Sequence, residues 1–153
     1  MIIGDSFAKR IAELLNEEFV PIEDRVFPDG EVNPRVLFKE KPRPGEEVVL
    51  ILRKKFTENI NSHIMKVYLA LKTLNDFDLN VDLVLPYFAY ARQDKVFREG
   101  EPLSVEYVAQ LFDPLIERFF TVTAHTHRRS SILPLFKHAR AYNLSGIPAL
   151  ADV

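Results

Sequence analysis

Apolar residues recur along this chain in two periods, and the periods alternate. Ile2 and Ile3 followed by Gly4-Asp5-Ser6 read as a short strand entering a helix. Phe7, Ile11, Leu14 and Leu15 then fall on one helical face, with Asp5 or Ser6 as the N-cap. Residues 19–22 read as a strand, Pro28-Asp29-Gly30 as a tight turn, and 32–38 as the second arm of a hairpin. After the loop KPRPGEE, residues 48–52 are apolar without interruption, the pattern of a strand buried on both faces. Ile60, Ile64, Val67, Tyr68, Leu71 and Leu74 keep helical spacing. His63, inside that helix, reads as a surface or first-turn residue. Residues 81–85 read as another buried strand, closed by Pro86. Ser104 is placed to cap a helix with Tyr107, Val108 and Leu111 on its inner face. Residues 119–122 read as a strand, Leu133, Leu135 and Phe136 as a short amphipathic piece, and 141–153 as a strand and loop.

Strands alternating with helices after residue 45 predict parallel strands joined by right-handed crossovers. The predicted fold is α/β: a three-layer αβα domain with a mostly parallel sheet and a hairpin flap near residues 20–38. A length of 153 residues, 47% of them hydrophobic, suits one domain with a real core. The formal net charge of -2, with no long basic run, argues against a nucleic-acid partner and leaves room for a small anionic ligand. Without cysteine there is no disulfide, thiolate metal site or Cys nucleophile. The N-terminal MIIGDSFAKR lacks the apolar core of a signal peptide. No apolar run approaches the roughly 18 residues of a membrane span. A cytoplasmic protein is therefore expected.

Ligands of open α/β sheets bind beyond the carboxyl ends of the strands. Three polar clusters fall there: Arg53-Lys54-Lys55, Arg92-Gln93-Asp94-Lys95 and His125-Thr126-His127-Arg128-Arg129. Arg offers phosphate a planar fork and Lys a compact charge, and His binds metal or donates to phosphate. Taken singly, each cluster also fits a solvated loop, and His125 and His127 alternate along an extended segment. The chain has no P-loop, dinucleotide fingerprint, nucleophile elbow or HExxH. The residues by themselves thus point to an α/β domain with an anion site.

Four segments, in order, resemble the ribose-phosphate diphosphokinases. Phe27-Pro28-Asp29-Gly30-Glu31 is similar to that family's F-x-D-G-E flap. Residues 55–61 (KFTENIN) resemble its opening of the long helix. Residues 86–95 (PYFAYARQDK) match its PYFGYARQD run almost residue for residue, and Glu101-Pro102-Leu103-Ser104 resembles the P-I-S/T that follows. The resemblance implies a phosphoribosyltransferase-like fold and a reaction that moves the β,γ-diphosphoryl group of ATP to ribose 5-phosphate, with Mg2+ as cofactor. It implies that Phe27 stacks on adenine and that Asp29 and Glu31 bond its edge. Arg92 and Gln93 would hold the nucleotide from another subunit of a homo-oligomer, with Asp94 beside them.

Alignment on the family's D-L-H segment makes His127 the residue at the metal-phosphate site, with His125 as the alternative; His125 stands where the family has Asp. The resemblance also implies an N-terminal ATP-binding domain over 1–146, with 147–153 opening a second domain. The family's second-half catalytic loop and its D-D-x-x-x-T-G-G-T-like loop for ribose 5-phosphate do not occur here. The chain is therefore expected to be inactive alone. The competing expectation is a non-catalytic assembly or regulatory relative.

Overall fold

The computed structural model describes residues 1–125 and 131–151. Its strands are β1 (Ile2–Gly4), β2 (Phe19–Val26), β3 (Val32–Val36), β4 (Glu47–Ile51), β5 (Asn80–Val84), β6 (Arg118–Val122) and β7 (Arg140–Leu144). Its helices are α1 (Ser6–Leu15), α2 (Ile60–Asp76), α3 (Ser104–Phe112) and α4 (Ile147–Ala151). The strands form one sheet in the order β3-β2-β1-β4-β5-β6-β7. Every pairing is parallel except β2 with β3. This is the predicted α/β architecture.

Alternation along the strands sorts the core into two layers. Ile3, Leu50, Leu83 and Phe119 point to the face covered by α2 and α3, and Ile2, Ile51, Val49 and Val84 to the face covered by α1. The first layer is the larger. Phe119 stacks on Phe136 with centroids 4.7 Å apart and meets Phe88 at 5.0 Å. Beyond β4 the second face is largely open, and Phe120, Val122, Tyr142 and Leu144 on β6 and β7 are partly or fully exposed.

Two helix faces differ from the sequence expectation. Phe7 and Ile11 do pack inward, but Leu14 is 84% exposed and Leu15 is exposed too, while Ala8 and Ala12 are fully buried. Small residues let α1 lie close against β1: a Cβ on Gly4 would come within 2.7 Å of the Ala8 Cβ. On α3 the buried stripe is Val105, Val108, Ala109 and Phe112, and Tyr107 is 55% exposed. Ser104 is the first helical residue and makes no cap bond to the helix. Two further differences concern His63, which lies in the first turn of α2 but is 1% exposed, and the tail, where α4 follows β7 in place of a loop. Asp5 is the N-cap of α1, accepting from the N–H groups of Phe7 and Ala8.

The flap is the part of β2 that outruns its neighbour. β1 pairs only with Phe19, Val20 and Pro21, whereas residues 22–26 pair with β3 alone. A charge network ties this overhang to the body. The Asp24 carboxylate accepts from Lys55 Nζ at 2.9 Å and Lys66 Nζ at 3.1 Å; Lys66 also bonds Glu58, whose other oxygen lies 3.1 Å from His63 Nδ1. Burial pushes the Asp24 and Glu58 carboxyls up, but their lysine partners outweigh it and hold both below the ordinary range. Burial drives His63 down, against the pull of Glu58.

Two tests follow from this packing. Phe119→Ala should cost about 3–5 kcal/mol and Leu144→Ala less than about 1 kcal/mol in urea unfolding, because only the first opens a cavity. For pH, a folded His63 pKa below 6.5 means that the unfolded chain takes the proton first as pH falls. Its contribution is complete above pH 6.5 and is lost as pH drops from there toward the folded value. The unfolding free energy should therefore decline as pH falls below about 6.5, by at most about 1.4 kcal/mol per pH unit for one proton. His63→Gln should flatten that window; an identical slope in the variant would remove His63 as its source. Asp24 and Glu58 lose their contributions in a separate window, as pH falls below the unfolded values of 3.8 and 4.5.

Candidate functional site

Strand order reverses beside β1: the chain leaves it through α1 toward β2 and returns on its other side as β4. Such a switch point opens a crevice beyond the strand ends. Here the crevice is closely built. A Cβ on Gly4 would lie 2.1 Å from the Ile51 carbonyl oxygen, so only glycine fits. The second Asp5 carboxylate oxygen accepts from the Arg53 N–H at 3.4 Å, linking the starts of both crossovers.

From this point three concavities run along the carboxyl edge. The first, about 210 Å³, lies under the flap and is lined by Asp5, Ser6, Asp24, Lys55 and Lys66 among others. The second, about 680 Å³, is bounded by Arg53, Lys54, Lys55, Phe56, Ile60 and Tyr87. The third, about 180 Å³, lies among Tyr87, Phe88, Arg92, Thr123 and His125. Lys55 borders the first two and Tyr87 the last two, which makes one track across the ends of β4, β5 and β6. A larger hollow of about 790 Å³ sits at the opposite end of the sheet, under residues 38–46. Its walls mix Lys39, Lys41 and Arg43 with Glu18, Glu40 and Glu46, and strand chemistry favours the carboxyl edge.

The structure brings together the clusters after β4, β5 and β6. Arg92 and Gln93 are exposed between buried Ala91 and Asp94, the latter 6% exposed. Their loop is held from several sides. Phe88 is buried against Phe119, Tyr90 Oη donates to Asn61 Oδ1, and the Gln93 carbonyl accepts from the Val105 N–H at 3.3 Å. The Ser104 hydroxyl bonds the Gln93 side-chain oxygen, so that amide is oriented and its NH2 points elsewhere. Tyr90 adopts φ +63°, a strained setting for a bulky residue and a mark of a loop held in shape by its surroundings. His125 lines the third concavity. His127 lies outside the described residues, as do Arg128 and Arg129.

Phe27, Asp29 and Glu31 sit at the flap tip, separated from β5 in the sheet by β1 and β4. The tip is a turn in which the Gly30 N–H meets the Phe27 carbonyl at 2.9 Å, with Gly30 at φ +93°. Asp29 accepts from the Glu31 N–H at 3.1 Å, which spends one carboxylate oxygen on shaping the turn. The Arg25 guanidinium lies 4.7 Å from the Phe27 ring centroid and covers one of its faces. The hydrogen bond from Lys55 Nζ to Asp24 raises the Lys55 pKa further above 10.5, so its ammonium stays charged at the border of the track.

Sequence reasoning named Asp5 only as an N-cap candidate and Tyr87 only within the 86–95 run, and it did not single out Asp24 or Lys66. For Lys66 a signal existed: His63, Lys66, Ala70 and Leu74 share the inner face of α2 at helical spacing. Among the described residues, no trio of His, Asp or Glu is gathered as a metal cage.

The arrangement has known counterparts. Residues 4–115 match the family model for the N-terminal domain of ribose phosphate pyrophosphokinase. Ribose-phosphate pyrophosphokinase of Thermoplasma acidophilum is 32% identical over 129 residues, covering 84% of this chain and 43% of that protein. The second such enzyme of Archaeoglobus fulgidus is 33% identical over 139 residues, covering 91% and 46%. A crystal structure of phosphoribosylpyrophosphate synthetase from Mycobacterium smegmatis superposes with a TM-score of 0.83 at 24% identity, over 99% of this chain and 50% of that one. The chain thus spans about half the length of the relatives it matches. It belongs to the ribose-phosphate pyrophosphokinase family and corresponds to the N-terminal half of its members.

Proposed function

We propose that this chain is the ATP-binding half of a ribose-phosphate diphosphokinase. The observation that carries the reading is the single track that joins Arg53, Lys54, Lys55, Arg92 and His125 beyond three adjacent strands. A line of Arg and Lys cations there, Arg53, Lys54, Lys55 and Arg92, matches a polyphosphate better than a single anion. In this reading the Arg92 fork and the Lys54 ammonium neutralise ATP phosphates, and the Gln93 amide, oriented by Ser104, donates to the nucleotide. Phe27 offers its uncovered face to adenine, while Asp29 and Glu31 accept from the base edge. Because the flap tip and Arg92 stand on different parts of the sheet, the base and phosphates of one nucleotide are shared between two copies of the chain. Asp94 fixes the end of the Arg92–Gln93 segment from its buried position.

The reaction is attack of the ribose 5-phosphate 1-hydroxyl on the β-phosphorus, with AMP leaving and phosphoribosyl diphosphate formed. This half contributes positioning and charge neutralisation, and the loops for ribose 5-phosphate lie on other sequence, so the chain alone is inactive. The donor set fits Mg2+ that enters chelated by ATP phosphates and keeps much of its water. His125, or His127 in the neighbouring stretch, would face it. When bound, the ion withdraws charge from the phosphate oxygens.

Calorimetric titration with Mg-ATP should show adenine-selective binding, ATP being preferred over GTP. Phe27→Ala should weaken ATP by about 1–3 kcal/mol through lost stacking, and an unchanged affinity would take adenine away from the flap. Arg92→Ala should weaken ATP more than adenosine; equal losses would remove Arg92 from the phosphates. Sedimentation should show self-association, and a strict monomer at high concentration would rule out a shared site.

A further inference from the structure

The network under the flap does more than join charges. Asp24 stands three residues before Phe27 on the overhang that pairs with β3 alone. Lys66, which holds it, is 2% exposed on α2 and is fixed in turn by Glu58. Glu58 is itself fixed, because it accepts from the Lys55 N–H at 3.1 Å and meets His63. The charged groups that line this pocket are thus Asp5, Asp24, Lys55 and Lys66, with Glu58 bonded to both lysines and His63 bonded to Glu58.

Two lysines share one oxygen of Asp24, but they are unlike. Lys66 is buried and held by both Asp24 and Glu58, whereas the Lys55 side chain is half exposed and also borders the cleft of Arg53 and Lys54. Buried ion pairs add little net stability over apolar packing, and in some proteins their role is to impose one geometry. A doubly held, buried cation beneath the flap and a half-exposed one beside the cleft are therefore suited to different tasks.

We propose that Lys66, acting through Asp24, is a positioning residue that sets the angle at which the flap carries Phe27, Asp29 and Glu31, and that Asp24 holds Lys55 in reserve for phosphate. Lys55 moves between Asp24 and a polyanion in the cleft, while Lys66 keeps the flap in place during the exchange. The relevance to nucleotide rests on the proposed function; the positioning itself does not.

The chain has no cysteine, so an introduced pair is unique. Spin labels on Pro28→Cys at the flap tip and Lys72→Cys on the outer side of α2 report the flap angle by pulsed dipolar spectroscopy without any ligand. The expected result is a narrow distance distribution in the otherwise unmodified chain, a broad one in Asp24→Asn and Lys66→Met, and a narrow one in Lys55→Met. A distribution as narrow in folded Asp24→Asn as in its parent overturns the proposal, and this exposed-side variant decides the matter even where Lys66→Met does not fold.

A second readout separates positioning from simple stability. Asp24→Asn should bind Mg-ATP about tenfold more weakly, the loss of one stacking contact, yet bind inorganic tripolyphosphate more tightly, because Lys55 is released. Equal weakening of both ligands would reduce the network to a stability element and overturn its positioning role. Failure of the unlabelled parent chain to bind Mg-ATP would count against the nucleotide reading alone, with the distance distributions still deciding the flap.

Discussion

The closeness of β1 and β4 at the point where strand order reverses is the constraint on which the carboxyl edge is built. Gly4 presses against the Ile51 carbonyl at a distance that no side chain permits. Because the two strands meet there, Asp5 reaches both the first turn of α1 and the backbone of Arg53. One carboxylate thus starts a helix and anchors the first cationic loop. The cavity under the flap opens beside this junction, and the track toward Arg92 and His125 continues from it. The cations converge because the strands are in register, with Ile51 opposite Val84 and Val84 opposite Phe120, so the loops leave the sheet at a common level.

What was legible in the sequence was what is decided locally. Apolar segments mark buried strands, and β4 and β5 follow the unbroken run at 48–52 and the segment at 81–85, which only Asp82 interrupts, within a residue or so. Pro28-Asp29-Gly30 specifies a turn through its own chemistry, including the Asp29 bond to Glu31 and the positive φ of Gly30. The buried faces of α1 and α3 are not legible from hydrophobic size, because size does not decide burial there. Where a helix must lie close to a sheet, alanine wins the inner positions, as Ala8, Ala12 and Ala109 do, and leucine is left on the flank. Lys66 and His63 were hidden for the opposite reason: they look like surface residues, and only the tertiary partners Asp24 and Glu58 make their burial tolerable.

The charge pattern of the site is likewise a matter of arrangement. A chain of formal charge -2 carries no basic run, yet its cations meet along one edge because three loops from distant sequence end together. The nearby carboxylates do not cancel them evenly. Asp24 and Glu58 are committed to Lys66, and Asp5 to backbone N–H groups, so their charge is concentrated beneath the flap. Toward Tyr87 the lining named for the cleft holds Arg53, Lys54 and Lys55 with no acid among them. The field along the track therefore grows more positive from the flap hinge toward the β4–β5 loops, which is the direction in which a chain of phosphates would gain by extending.

The opposite face of the sheet shows how β5 to β7 manage where α1 no longer covers them. Parallel strands are ordinarily buried on both sides, and here polar and aromatic pairing takes up part of that role. Arg118 makes a two-point bond to Asp82 on the neighbouring strand and lies 6.0 Å from the Phe120 centroid. Phe120 stacks on Tyr142 across β6 and β7, 4.9 Å between centroids and 12° between planes. The Asp82–Arg118 and Phe120–Tyr142 contacts join adjacent strands along registered rows, and the Arg118–Phe120 contact links the two rows within β6, so side chains on the open face reinforce the ladder that the backbone makes. The strands that carry the Arg92 and His125 loops are thus held from one side by the aromatic core of Phe88, Phe119 and Phe136, and from the other by pairs that tolerate water. The carboxyl edge can keep its geometry without a second full helical layer, because the core that fixes it lies on the α2–α3 side.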